Sequence, residues 1–270
     1  MIERHRSLLF VPATRIDRVE KAVQSGASAV IVDLEDAISP SLKAKARTDF
    51  IKWMRSNEHV KNVGVRINSP RTAFGCEDLS AFFASMIDPA FIMVPKTETA
   101  VDIEICQSVL DYDRFIAVVE CGRGLQNVFA IAENSSYGIL FGGADFSAEL
   151  GANLNDWDAM LVARGTIVAA CASAKIPAYD VPALDIEDHS GLKETTLKAK
   201  QLGFSGRACI HPKQVSCVEA CFQPNDEEIA RAQGIVEAFN ASNGGVVRYQ
   251  NKMIDVPVVQ AAKRLLANLS

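Results

Sequence analysis

The chain has 270 residues, 49% of them hydrophobic and 23% charged, with a formal net charge of −5. That balance belongs to an ordinary globular protein with apolar material for a large core, and its mild acidity leaves no basic footprint for nucleic acid. No apolar run approaches the roughly 18 residues of a membrane span, and the start, MIERHRSLLFVP, is too short an apolar stretch for a secretory signal.

Short continuous apolar runs alternate with amphipathic segments along nearly the whole chain. Ser7–Val11, Ala29–Asp33, Gly64–Ile67, Phe91–Val94, Phe115–Val119, Tyr137–Phe141, Pro177–Asp180 and Gly206–Ile210 predict eight strands. Between them Ile16–Ser25, Leu42–Met54, Glu77–Met86, Ala100–Leu110, Gln126–Glu133, Trp157–Lys175 and Ser190–Leu202 carry helical period. Apolar strands separated by amphipathic helices imply parallel pairing buried on both faces. Eight such units fit an α/β fold closed as a (β/α)8 TIM barrel better than an open doubly wound sheet. The barrel is expected over residues 1–221. Residues 222–270 form an extension: a helix from Pro224 through Phe239, a turn at Asn243-Gly244-Gly245, a strand-like Val246–Tyr249 and a helix over Val256–Leu266.

The seven cysteines are odd in number and include no CxxC pair, so they read as reduced thiols of a cytoplasmic protein. Cys217 and Cys221 share a helix face, but no second pair completes a metal site.

Barrel chemistry sits at the C-terminal ends of the strands. Just past the predicted strands stand Asp33-Leu34-Glu35-Asp36, Arg66, Pro95-Lys96, Glu120, Gly142-Gly143-Ala144-Asp145 and His211. Glu120 and Asp145 fall on neighbouring strand ends, and parallel neighbours lie about 4.8 Å apart. Two carboxylates there repel unless they share a cation, and an all-oxygen donor set favours magnesium over zinc. Asp145 alone also reads as the cap of the helix that follows. Arg66, in an apolar strand, is costly unpaired; its fork suits a substrate carboxylate or thioester oxygen, or else a structural bridge to Glu35 or Asp36. Those two acids read either as holding the waters of a metal or as a rim ion network. His211, beside Pro212, reads as orienting a loop rather than as a base. No GxGxxG follows the first strand, so a dinucleotide fingerprint is absent.

In chain order, Arg6–Pro12, Val32–Ala37, Val65–Asn68, Val94-Pro-Lys96, Val119-Glu120, Phe141–Phe146, Gly203–Gly206, Ile210-His-Pro212 and Met253–Pro257 resemble the citrate lyase β-subunit-like proteins of the HpcH/HpaI aldolase group. The resemblance spans almost the entire chain. It implies a magnesium-dependent carbon–carbon lyase acting on a 3-hydroxyacyl-CoA thioester, in homo-trimers or hexamers whose C-terminal extension contributes to the oligomer and the active site. Carried over by motif, Glu120 and Asp145 are the magnesium ligands and Arg66 binds substrate. Asp255 is the acid/base residue donated by a neighbouring subunit, and Phe10, Arg18 and Lys21 approach the thioester carrier, CoA or an acyl carrier protein. (3S)-Citramalyl-CoA, cleaved to pyruvate and acetyl-CoA, is the expected substrate; malyl-CoA lyase or malate synthase-like action and citryl-thioester cleavage within a citrate lyase complex are the alternatives. From another class, a non-catalytic assembly subunit would keep the fold without the chemistry. Cys121, Ala144 and Ala13 depart from the family pattern of Thr or Ser, an acidic residue and glycine at those places.

Overall fold

The computed structural model describes residues 5–242 and 247–267. Eight strands, β1 (Ser7–Pro12), β2 (Ala29–Asp33), β3 (Val63–Arg66), β4 (Ile92–Val94), β5 (Phe115–Val119), β6 (Gly138–Phe141), β7 (Ala178–Asp180) and β8 (Gly206–Cys209), close in sequence order into a barrel. Every pairing is parallel, and β8 returns to β1 with Leu8 beside Ala208. The α/β barrel expected from the alternation of runs is therefore the fold.

The intervening helices are α1 (Val19–Val23), α2 (Lys43–Ser56), α3 (Ala73–Ser85), α4 (Ala100–Leu110), α5 (Gly122–Gln126), α6 (Val128–Asn134), α7 (Gly143–Leu150), α8 (Leu161–Ala174), α9 (His189–Leu202) and α10 (Pro212–Phe222). Several predicted helices are broken by local geometry. Ile16–Ser25 is a 3₁₀ segment, Ala13–Arg18, leading into α1, with Arg15 outside helical dihedrals. The segment around Gln126 divides at Asn127 into α5 and α6. α7 was not expected over its observed range, because Gly143 is a poor helix former.

Side-chain parity divides each strand. Val30, Val32, Val63, Val65, Ala117, Val119, Ile139 and Phe141 face the helices and join the large outer core. Leu8, Ala29, Ile31, Phe91, Met93, Ile116, Val118, Leu140, Tyr179 and Ala208 face inward and fill the lumen. Gly64 makes room for this plug, since a Cβ there would run into the Phe91 ring. The inward rows end, toward the strand C-termini, in polar residues: Ala29-Ile31-Asp33 on β2, Gly64-Arg66 on β3, and Ile116-Val118-Glu120 running off β5.

By contact density the chain divides after Phe222, and residues 223–270 form a second compact unit. It comprises α11 (Asp226–Ala241), the antiparallel strands β9 (Val247–Tyr249) and β10 (Lys252–Ile254), and α12 (Val256–Ala267). Asn225 and Glu228 cap α11 reciprocally. The predicted turn at Asn243–Gly245, with Val246, lies outside the described residues. No described helix is long and apolar enough to cross a membrane.

Candidate active site

Strand register assembles the site. Asp33 on β2 is the cross-strand neighbour of Arg66 on β3, and both point inward. The guanidinium therefore meets the carboxylate two-pronged, Nε and Nη2 each donating to Asp33 at 2.7 Å. Its remaining nitrogen, Nη1, stands 3.2 Å from Glu35, and its plane lies 5.0 Å from the Phe10 ring centre. Burial opposes the charge on Arg66, but Asp33, Glu35 and Asp36 outweigh it and hold its pKa above the ordinary value.

Val119 on β5 pairs with Phe141 on β6, so Glu120 emerges beside Gly142. A Cβ at 142 would run into the Glu120 stem and stand 2.7 Å from its Oε2; only glycine leaves that oxygen open. Oε1 accepts the Lys96 amide at 2.5 Å. Glu120 is 6% exposed. Burial, then the carboxylates of Glu35 and Asp145, push its pKa up to about 8 against the pull of Lys96. Asp145 lies in the first turn of α7 rather than before a helix, its side chain half open to solvent. Glu149, one turn on, accepts the Gly122 amide at 3.2 Å and so ties α7 to the loop that follows Glu120.

Lys96, which the sequence places just past β4 without a role, is central to the geometry. Its backbone is left-handed, with φ of 52°, which turns the amide onto Glu120 while Nζ reaches Glu35 at 2.5 Å, Asp36 at 3.4 Å and Asp145 at 3.8 Å. Burial disfavours its charge, but Glu35, Glu120 and Asp36 hold the ammonium above its ordinary pKa. Burial raises Glu35 despite Arg66 and Lys96, whereas for Asp36 the two cations overcome burial and lower the carboxyl.

Phe10, Asp33, Asp36, Arg66, Glu120 and Asp145 line a cavity of about 300 Å³, with Val118, Leu140, Phe141, Val181, Pro182 and Ile210 on its apolar wall. Ala144 also lines it, so no further carboxylate stands next to Asp145. Glu35 and Lys96 do not line it, nor do Arg18 and Lys21, which are exposed. His211 Nδ1 accepts the Lys213 amide at the start of α10, a loop-orienting contact. Cys121 caps α5, its sulfur accepting the Gly124 amide at 3.3 Å, the task a Thr or Ser hydroxyl performs elsewhere. Asp255 accepts the Val258 amide at 3.3 Å in the first turn of α12, between exposed Met253 and Val256.

The sequence places Asp33 and Lys96 at strand ends without giving either a role: Asp33 shares parity with Ala29 and Ile31, whereas the left-handed turn of Lys96 depends on tertiary contacts. Among the described residues no three His, Cys, Asp or Glu side chains converge as metal ligands. Glu120 and Asp145 are a two-carboxylate, all-oxygen set, with Glu120 Oε2 kept clear by Gly142, and this donor set fits magnesium, which takes one or two carboxylates and completes its shell with water or substrate.

The closed barrel with a carboxylate–arginine cavity at its strand C-termini defines a TIM-barrel protein whose polar residues gather where barrel enzymes carry their chemistry. A profile described as HpcH/HpaI aldolase/citrate lyase matches residues 6–212, and one described as a carbon–carbon bond lyase of the TIM-barrel fold matches residues 160–267. The chain belongs to the HpcH/HpaI aldolase/citrate lyase family. It is 29% identical to the citrate lyase subunit beta of Leuconostoc mesenteroides subsp. cremoris, over 97% of this chain and 92% of that one. It is 27% identical to the mitochondrial citramalyl-CoA lyase of Rattus norvegicus, over 97% and 85%. Among solved structures, CitE from Mycobacterium tuberculosis in complex with magnesium, acetoacetate and coenzyme A superposes with a TM-score of 0.85 at 31% identity, covering 99% of both chains. RipC from Yersinia pestis gives 0.74 at 37%, covering 83% of this chain and 97% of that one.

Proposed function

We propose that this protein is a magnesium-dependent lyase that cleaves citramalyl-CoA to pyruvate and acetyl-CoA. The observation that carries this reading is the buried Glu120 carboxylate, its Oε2 left open beside Gly142, in one cavity with Asp145 and Arg66. Glu120 and Asp145 would hold the ion, which when bound supplies Lewis acidity at the substrate's carboxylate and 3-hydroxyl oxygens. The CitE complex with magnesium and coenzyme A supports both the ion and the carrier.

In this reading the bond between C2 and C3 of the acyl chain breaks, the hydroxyl gives up its proton to solvent water as the ketone forms, and the electron pair passes to the thioester as an enolate. Arg66, locked by Asp33 and Phe10, offers a preorganised positive charge to the developing enolate oxygen. Asp255, supplied by a second copy of the chain in a homo-trimer or hexamer, delivers a proton to the nascent acetyl carbon. Exposed Met253 and Val256 on either side of it suit insertion against a neighbour. Phe10 lines the cavity, and Arg18 and Lys21, exposed outside it, would offer positive charge to the carrier's phosphates. Glu35 and Asp36 support the site through Lys96 and Arg66.

The wall selects among substrates. Arg66 is the one cationic side chain among the lining residues, so the second carboxylate of a citryl group would enter uncompensated. A methyl on C3, present in citramalyl and absent from malyl, packs instead on the apolar wall, worth about 0.8 kcal/mol. The test is acetyl-CoA release from citramalyl-, malyl- and citryl-CoA at fixed magnesium. Citramalyl-CoA is expected to give the largest kcat/KM and Glu120→Gln to abolish turnover. Cleavage of none of the three overturns the reading; a citryl preference overturns the substrate choice.

A further inference from the structure

Five carboxylates crowd the C-terminal end of the lumen (Asp33, Glu35, Asp36, Glu120 and Asp145) against two cations, Arg66 and Lys96. A divalent ion entering this field is attracted by all five, and an ion ligated by most of them has no coordination position left for a substrate. Something must keep most of these acids turned away.

Arg66 occupies both oxygens of Asp33. Glu35 is the unresolved competitor. It is 5% exposed, does not line the cavity, and its Oε2 accepts no hydrogen bond among the described residues, standing 3.2 Å from Arg66 in an ion pair, with the Asp36 carboxyl also against Glu35. Its other oxygen is held by Lys96 Nζ, which reaches Asp36 as well. The same residue pins Glu120 from the other side through its amide. A lysine reaches both groups only because its backbone is left-handed, a conformation that costs energy in a residue with a side chain and persists where the surroundings impose it.

We propose that Lys96 is a positioning residue that withholds Glu35 and Asp36 from the divalent ion, so that Glu120 and Asp145 alone ligate it and open positions remain for the keto acid. This inference rests on the metal reading given above. It assigns no chemical step to Lys96, whose ammonium stays charged and touches no reacting atom.

A merely structural lysine and a withholding lysine differ in the sign of one effect. Removing a positive charge from among these carboxylates and freeing Glu35 strengthens the hold on a dication, while consuming the position a keto acid needs. The experiment is calorimetric: magnesium is titrated into the full-length protein, then pyruvate into the magnesium-saturated protein. Lys96→Met is expected to bind magnesium about ten-fold tighter and pyruvate at least ten-fold weaker, with Lys96→Arg near wild type on both. In the Lys96→Met, Glu35→Gln double variant the tightening is smaller than in Lys96→Met, leaving the part due to the lost charge and to Asp36. Glu35→Gln alone, which needs no change at Lys96, stays within about three-fold of wild type for magnesium, because Glu35 is not a ligand. Weakening of both ligands in Lys96→Met, no change in either, or loss of magnesium binding in Glu35→Gln overturns the proposal. A wild-type protein that takes up no magnesium sinks the metal reading itself, and this inference with it.

Discussion

The barrel contains the same cross-strand pair twice. Asp33 neighbours Arg66 between β2 and β3, and Asp180 neighbours Arg207 between β7 and β8. The two pairs have opposite fates because they differ in parity. Asp33 and Arg66 continue the inward rows and meet at the cavity. Asp180 and Arg207 face the helices: Tyr179 and Ala208 take the lumen on those strands. There Asp180 turns to Arg164 at 2.9 Å. Arg207 spends its donors on the Val181 carbonyl and the hydroxyls of Thr195 and Thr196. Burial pushes Arg207 below its ordinary pKa, whereas Arg66 is held above it by three carboxylates. Residue types and cross-strand pairing are the same in the two; which face of the strand bears the side chain decides between chemistry and scaffold.

The comparison is breakable at either end. Arg66→Lys keeps the charge but loses the two-pronged grip on Asp33, and kcat/KM for citramalyl-CoA is expected to fall by about 10² to 10³ with the melting temperature almost unmoved. A large drop in melting temperature with normal turnover per folded molecule would erase the distinction. Arg207→Met is the mirror case. It strips donors from two threonine hydroxyls and a buried carbonyl, and denaturant unfolding should show a loss on the order of 2–4 kcal/mol with kcat of the folded protein within about two-fold.

Next in size is a pH effect confined to the lumen side. Glu120 holds its proton up to about pH 8, so magnesium must displace that proton at lower pH. Affinity by calorimetry is expected to rise about ten-fold per pH unit and to level off above about 8. Stability of the metal-free protein runs the other way. A carboxyl whose folded pKa is raised stabilises the fold while protonated, and that contribution is lost as pH climbs from the ordinary carboxylate range through about 8. Glu120→Gln should flatten both profiles. The smallest effect is at Cys121. Cys121→Ser offers Gly124 a better acceptor and is expected to change stability by no more than about 0.5 kcal/mol, with turnover within about two-fold.

The barrel was legible because its signal is repeated: Ala29–Asp33, Phe115–Val119 and Ala100–Leu110 are the observed bounds of β2, β5 and α4. Glu120, Asp145 and Arg66 were legible from their places past or at the ends of strands, and all three line one cavity. Asp33 was legible as a strand-end residue but not as the partner of Arg66, which only the register supplies. Lys96 was legible as a strand-end cation but not in its role, which follows from a left-handed backbone and a reach across two loops that no local pattern encodes. Asp255 carried no signal outside the family motif; its contact in the structure, an N-terminal helix cap, is one that many aspartates make.

The side chains that fill the lumen from Leu8 to Ala208, with Phe91 seated against Gly64, stop the barrel like a cork. The plug puts a floor under the cavity described above it. In the proposed seating, with the small acid against that floor and the carrier outward, the carrier half is expected to leave first, and an excess of the acid is expected to compete with the next thioester.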